Sequence, residues 1–108
     1  MENTEIMINI KNEIETNDIV LFMKGTAKFP QCGFSAMVVQ ILEKSGVKFK
    51  DINVLADQEL RESIKIFSDW PTIPQLYIKG EFIGGSDITK EMYQTGELAL
   101  VLKEKGLL

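Results

Sequence analysis

The chain contains no histidine and a single cysteine, Cys32. The first absence removes the commonest nitrogen ligand of transition metals, and the second excludes an internal disulfide. A metal site built from one copy of this chain would therefore be short of ligands. No apolar run approaches the roughly 20 residues needed to span a bilayer, so no membrane association is expected. Positive charge is also scarce: 12 lysines and arginines stand against 16 acidic residues, a net charge of -4. Nucleic-acid modules concentrate positive charge on one face, and this composition argues against one. The opening residues, Met1-Glu2-Asn3-Thr4-Glu5, lack the charged-then-apolar pattern of a secretory signal and the arginine-rich character of a transit peptide. A reducing cytoplasmic setting is the resulting expectation.

What is present is enough for one compact core: 108 residues, 44% of them hydrophobic, read as a single domain over residues 1–108. Ile6, Ile10 and Ile14 recur every four residues between Thr4 and Asn17 and predict an amphipathic helix. Ile19-Val20-Leu21-Phe22-Met23 is an unbroken apolar run, as expected of a central strand covered on both faces. A polar loop with Pro30 leads to Cys32, after which Phe34, Met37, Val38, Ile41 and Leu42 fall at helical spacing up to Gly46. Residues 47–54 are a weaker strand, parallel to the first if the helix is a crossover. Asp57 caps a helix carrying Leu60, Ile64 and Phe67 that must end before Trp70-Pro71. Residues 75–78 and 81–83 flank Lys79-Gly80 as an antiparallel hairpin, and Ser86-Asp87 is positioned to cap a helix that Gly96 divides from the last. The order β-α-β, α, ββ-α behind an extra helix describes an α/β chain with a mixed four-stranded sheet flanked by helices, the thioredoxin-like fold.

Cys32 falls at a helix N-terminus, where the dipole and free backbone amides favour thiolate over thiol. A buried structural cysteine is the plain alternative; the polar loop before it and Gly33 after it favour a reactive one. A dithiol oxidoreductase carries its resolving cysteine three positions on, and that position is Ser35. A serine hydroxyl is too weak an acid to resolve a mixed disulfide, so any exchange must finish with an external thiol. Ser35 is equally consistent with helix filler or a capping side chain. Met37 and Met92 read as core filling, Phe34 as core or as a shield beside Cys32, and Trp70 as packing behind Pro71.

Lys24-Gly25, Pro30, Cys32-Gly33-Phe34-Ser35, Trp70-Pro71-Thr72-Ile73-Pro74-Gln75 and Gly84-Gly85-Ser86-Asp87 resemble, in this order, the motifs of the monothiol glutaredoxins. The resemblance covers nearly the whole chain. It implies a thioredoxin-like fold, a cis peptide before Pro74, and glutathione bound beside Cys32. By that resemblance Lys24 and Arg61 hold the glycine carboxylate of glutathione, the Ile73 backbone pairs with its central cysteine, and Ser86 with Asp87 holds the γ-glutamyl end. The plain reading of Lys24, Arg61 and Asp87 is as solvated charges or caps. Position 86 is serine where related sequences often have cysteine, so no second thiol stands there; position 73 is isoleucine where some have phenylalanine.

A [2Fe–2S] cluster usually takes four ligands, most often thiolates. One chain offers one. Two chains each giving Cys32, with two glutathione thiols, reach four, and the resemblance implies the same homodimer. Exchangeable ligands suit a labile cluster that is handed on. The resemblance further implies roles in cluster delivery to apo iron–sulfur proteins and in iron homeostasis, with BolA-like proteins as possible partners. Enzymatic activity, on this reading, is at most weak glutathione-dependent thiol–disulfide exchange on glutathionylated proteins. A cluster-free docking module is a third class.

Overall fold

The computed structural model describes residues 4–108; Met1, Glu2 and Asn3 of the acidic start lie outside them. Helix α1 (Thr4–Thr16) buries Ile10 and Ile14, two of the three isoleucines that predict it. Strand β1 (Ile19–Met23) follows and is buried at all five positions, as its unbroken apolar run requires. Helix α2 (Gly33–Lys44) ends where Gly46 enters the left-handed region at φ +78°. Strand β2 (Lys50–Asn53) is shorter than its expected span: Val54 leaves the ladder for a 3-10 turn (Val54–Ala56), whose Leu55 N–H is accepted by Asn53 Oδ1 at 2.9 Å. Helix α3 (Gln58–Ser68) starts at Asp57, whose carboxylate accepts the Glu59 and Leu60 N–H groups as expected.

Strands β3 (Gln75–Ile78) and β4 (Glu81–Gly84) form the expected hairpin, with Lys79 and Gly80 both at positive φ, +50° and +81°. Two positive-φ residues give the turn a twist that matches the flanking strands. Helices α4 (Ser86–Thr95) and α5 (Glu97–Glu104) are divided at Gly96, φ +83°. The expected cap of α4 needs correction. Gly85, not Ser86 or Asp87, is the N-cap; its carbonyl accepts both the N–H and the hydroxyl of Thr89, at 3.1 and 2.8 Å. Ser86 and Asp87 thus stand in the first helical turn, with their side chains not spent on capping.

The sheet order is β2-β1-β3-β4, with β1 parallel to β2 and antiparallel to β3. Because strand residues alternate faces, β1 feeds two cores. Ile19, Leu21 and Met23 meet Val38, Leu42, Leu98 and Leu102 of α2 and α5 on one face. Val20 and Phe22 meet Ile10, Ile14 and Ile64 of α1 and α3 on the other. The C-terminal end of β1 and the start of α2 therefore arrive at the same end of the sheet as the loop before β3.

Candidate functional site

Cys32 is the N-cap of α2, with extended backbone (φ −150°, ψ 135°) and its carbonyl accepting the Ala36 N–H at 2.9 Å. The sulfur is partly exposed and faces the unpaired amides of the helix's first turn. Its thiol is held below the ordinary value of 9.0, chiefly by the Ser35 backbone N–H. Partial burial opposes this; the Phe34 N–H, the Lys24 ammonium and the Ser35 hydroxyl add to it. Residues 34 and 35 are the second and third of the helix, the positions whose N–H groups an N-cap acceptor normally satisfies. Cys32 is the N-cap residue with no side-chain cap hydrogen bond, so its sulfur lies near these N–H groups without closing the helix end. Ser35 itself is fully buried and its hydroxyl accepts the Lys24 N–H at 3.1 Å, tying the first turn of α2 to the end of β1. Where a dithiol enzyme would have its second cysteine, this chain has a structural tie.

The loop before Cys32 is built around Gly25 at φ +89°, where a β-carbon would lie 2.5 Å from the Phe29 carbonyl oxygen and 2.6 Å from the Gln31 nitrogen. Thr26 and Phe29 exchange backbone hydrogen bonds of 3.2 and 3.1 Å, and the Gln31 N–H donates to the Lys24 carbonyl at 2.9 Å. Two side chains of β2 complete it: Asn53 Oδ1 accepts the Gly25 N–H at 2.9 Å, and Asp51 Oδ2 accepts the Ala27 N–H at 2.8 Å. Loop amides that would otherwise lack partners are thereby satisfied.

Opposite Cys32 runs the loop from Asp69 to Pro74, whose Ile73–Pro74 peptide is cis. Ile73 is buried at 7% exposure in the α1–α3 core and also lines the site. At Gly85 a β-carbon would stand 3.4 Å from the Pro74 carbonyl oxygen, which keeps the turn into α4 close against this loop. Between these segments lies a groove of about 450 Å³, lined by Lys24, Cys32, Phe34, Pro71, Thr72, Ile73, Pro74, Ser86 and Asp87.

Five of the six residues singled out from the sequence thus share one groove: Lys24, Cys32, Ile73, Ser86 and Asp87. Arg61 does not line it; that side chain is half-buried on α3, and its Nε is buried without a hydrogen-bond partner. Phe34 resolves to the groove, at 58% exposure, rather than the core. Sequence reasoning missed the supporting side chains Asn53 and Asp51. Their contacts lie 28 and 24 residues away, a range that periodicity and local motifs do not reach.

Residues 19–83 match the protein-family model described as Glutaredoxin, a span that includes β1, the Cys32 helix and all but the last residue of the β3–β4 hairpin. The chain belongs to the glutaredoxin family. Within it, the chain resembles the monothiol members: it is 65% identical over 94 residues to "Probable monothiol glutaredoxin 2" of Rickettsia conorii, covering 87% of this chain and 88% of that one. It is 54% identical over 105 residues to "Monothiol glutaredoxin-5, mitochondrial" of Saccharomyces cerevisiae, covering 94% and 70% respectively. Among solved structures, reduced apo GrxS14 from poplar aligns with a TM-score of 0.80 at 48% identity, covering 91% of this chain and 90% of that one. The thioredoxin-like fold expected from the element order is the fold of these glutaredoxins.

Among the described residues no group of three or more His, Cys, Asp or Glu side chains could hold a metal ion. The one cysteine of the chain is Cys32. Its thiol is lowered by backbone amides and partly exposed, beside an open groove. No helix among the described residues is long and apolar enough to cross a membrane.

Proposed function

We propose that this glutaredoxin binds glutathione in the Cys32 groove and, as a homodimer, shares a [2Fe–2S] cluster ligated by two Cys32 thiolates and two glutathione thiols. Its cargo is then the cluster, taken up and passed to apo iron–sulfur proteins or used in iron homeostasis, with BolA-like proteins as further partners. One glutaredoxin domain over residues 1–108 would carry the whole activity. The observation that carries this reading is the meeting of a partly exposed, amide-lowered thiol with one cation, one anion and the Ile73–Pro74 segment in a single groove.

Glutathione has two carboxylates, an ammonium and a thiol, and the groove offers complements in fixed places. Lys24 takes the glycine carboxylate, the Ile73 backbone pairs with the central residue as one strand pairs with another, and Ser86 with Asp87 takes the γ-glutamyl end. The Gly85 cap serves this assignment, because it leaves the Ser86 and Asp87 side chains available. Arg61 stands outside the groove lining with its Nε buried, so it would have to extend from α3 to reach the glycine carboxylate. Arg61→Gln with unchanged glutathione affinity would remove it from the site. The reading needs a reducing compartment, cytoplasmic by composition or mitochondrial as the yeast relative's name states for that protein.

Anaerobic incubation of the apo protein with ferrous iron, sulfide and glutathione tests the reading. Charge-transfer absorption and a monomer-to-dimer shift are expected, both lost in Cys32→Ser and without glutathione. A colourless monomer would sink it. The lowered Cys32 thiol also supports a second reading, thiol exchange. The thiolate attacks the glutathione sulfur of a glutathionylated protein and expels the protein thiolate. A second glutathione thiolate then attacks the Cys32–glutathione disulfide, releasing oxidised glutathione and restoring Cys32. Turnover of a glutathionylated substrate at background rate rejects that activity.

A further inference from the structure

Gln75 is the first residue of β3, and it is fully buried. Glutamine is a poor core residue unless every polar atom finds a partner. Here its side-chain amide donates to the Trp70 carbonyl and to the Thr72 carbonyl, both at 3.2 Å, and its Oε1 accepts the Tyr77 hydroxyl at 3.1 Å. Both carbonyls belong to the irregular loop that lines the groove, where no strand or helix ladder supplies donors. The Trp70 carbonyl precedes Thr72, the Thr72 carbonyl belongs to the peptide that joins it to Ile73, and Pro74, which has no N–H to give, follows. The carboxamide is therefore a staple between the sheet and the groove wall.

Tyr77 holds the staple in one orientation. It lies two residues on, so its side chain leaves the strand on the same face as Gln75. Its ring is enclosed by Phe22, Phe67 and Phe82 at centroid distances of 5.7, 6.5 and 5.3 Å, and it is 3% exposed. Burial pushes its phenol up to about 12, so the hydroxyl keeps its proton and remains a donor at any physiological pH. With its oxygen engaged by Tyr77, the amide must present its NH₂ to the two loop carbonyls.

We propose that Gln75 is a positioning residue for glutathione binding: locked by Tyr77, it ties the Trp70 and Thr72 carbonyls and so holds the Ile73 backbone in the orientation that pairs with the tripeptide. The inference rests on the glutathione reading above and adds the element that sets its geometry. Neither residue touches the ligand. Their influence passes through the loop.

The test uses the ¹⁵N-labelled full chain titrated with glutathione, with amide exchange of Thr72 and Ile73, thermal midpoint and Cys32 alkylation against pH as parallel readouts. Gln75→Met keeps the volume and deletes both donors; Tyr77→Phe keeps the ring and deletes the hydroxyl that locks Gln75 and also meets Ser68, which guards against a variant that fails to fold. Glutathione affinity is expected to fall about tenfold in Gln75→Met and about threefold in Tyr77→Phe. Faster exchange at Thr72 and Ile73 should accompany this, with the Cys32 titration unmoved. A residue that merely stabilised the fold would lower the thermal midpoint and leave affinity and loop exchange of the folded protein as in wild type, and that result overturns the proposal. If wild type itself shows no amide shift at Ile73 on adding glutathione, the glutathione reading fails and takes the proposal with it. That failure is visible before any variant is made.

Discussion

On the α2–α5 face of the sheet the hydrophobic cluster is aliphatic or methionine, including Leu21, Met23, Val38, Leu42, Leu76, Ile78, Leu98 and Leu102, with the buried Ser35 of α2 as a single polar tie to β1. On the α1–α3 face Phe22 and Tyr77 join the isoleucines, Gln75 is buried beside them, and Trp70 and Phe82 continue the aromatic contacts at 5.8 Å toward the loop before Pro74. Aliphatic packing is close to non-directional, so the first face can stabilise the fold without specifying any atom of the groove. Aromatic edges, a phenol and a carboxamide are directional, and on the second face they end on carbonyls of the groove wall. The difference separates a face that holds the molecule together from one that also aims it.

The largest effect that would sharpen this contrast is on stability alone. Leu102→Ala removes a fully buried side chain of α5 from the aliphatic face. It should cost about 3 kcal/mol in urea unfolding, through lost transfer energy and the cavity left behind. Glutathione affinity and the Cys32 titration, measured well below the thermal midpoint, should stay as in wild type. A loss of affinity in that folded variant would break the division between the faces.

Next come the ties that belong to the site. Ser35→Ala leaves the partly buried Lys24 N–H without its acceptor and a fully buried hydroxyl site empty, and should cost about 2 kcal/mol. Unlike Leu102→Ala, it should also raise the pH midpoint of Cys32 alkylation, because the Ser35 hydroxyl is one of the groups that lower the thiol. Asn53→Ala frees the Gly25 and Leu55 N–H groups from one oxygen. Leu55 is exposed and recovers a solvent bond, whereas Gly25 is buried, and about 1 kcal/mol is expected from its lost partner. The loop between Gly25 and Gln31 should show faster amide exchange.

The same contrast decides what could be read from sequence. The aliphatic face is written in local patterns: the run of β1 and the helical spacing of Val38, Ile41 and Leu42 identify their elements and their burial without knowledge of the rest. So is the chemistry of Cys32, because a helix N-terminus is a local event. The second face resists such reading. Whether Gln75 points at a loop carbonyl, or Asn53 at Gly25, depends on strand register and on contacts far along the chain. The motif that contains Gln75 was visible, but its carboxamide had no role until the loop was folded above it. Arg61 marks the same boundary: its helix was legible, its phase against the groove was not, and the structure leaves it outside the lining. The cap of α4 failed for a related reason, since Ser86-Asp87 carries a strong local capping signal that the close approach of Gly85 to Pro74 overrides by one residue.

The smallest predicted effect concerns how Cys32 is ionised. Backbone amides and Lys24 both lower its thiol, with the Ser35 amide first and the Lys24 charge after the Phe34 amide. Lys24→Gln should therefore raise the alkylation midpoint only slightly and leave it below the ordinary thiol value of 9.0. Salt separates the two causes. A partly exposed charge is screened within about 10 Å at 0.1 M, whereas hydrogen bonds from adjacent amides are not. Added salt should thus move the wild-type midpoint up toward that of Lys24→Gln and leave the variant nearly still. The sign carries into stability, because a thiol lowered on folding favours the folded state where the thiolate is the native form. That contribution is complete above the unfolded thiol value and disappears as pH falls through the folded one, so unfolding free energies of wild type and Cys32→Ser should diverge with rising pH. In the Lys24→Gln background they should diverge less, and an equal divergence would show that the amides alone, not the lysine, set the thiolate.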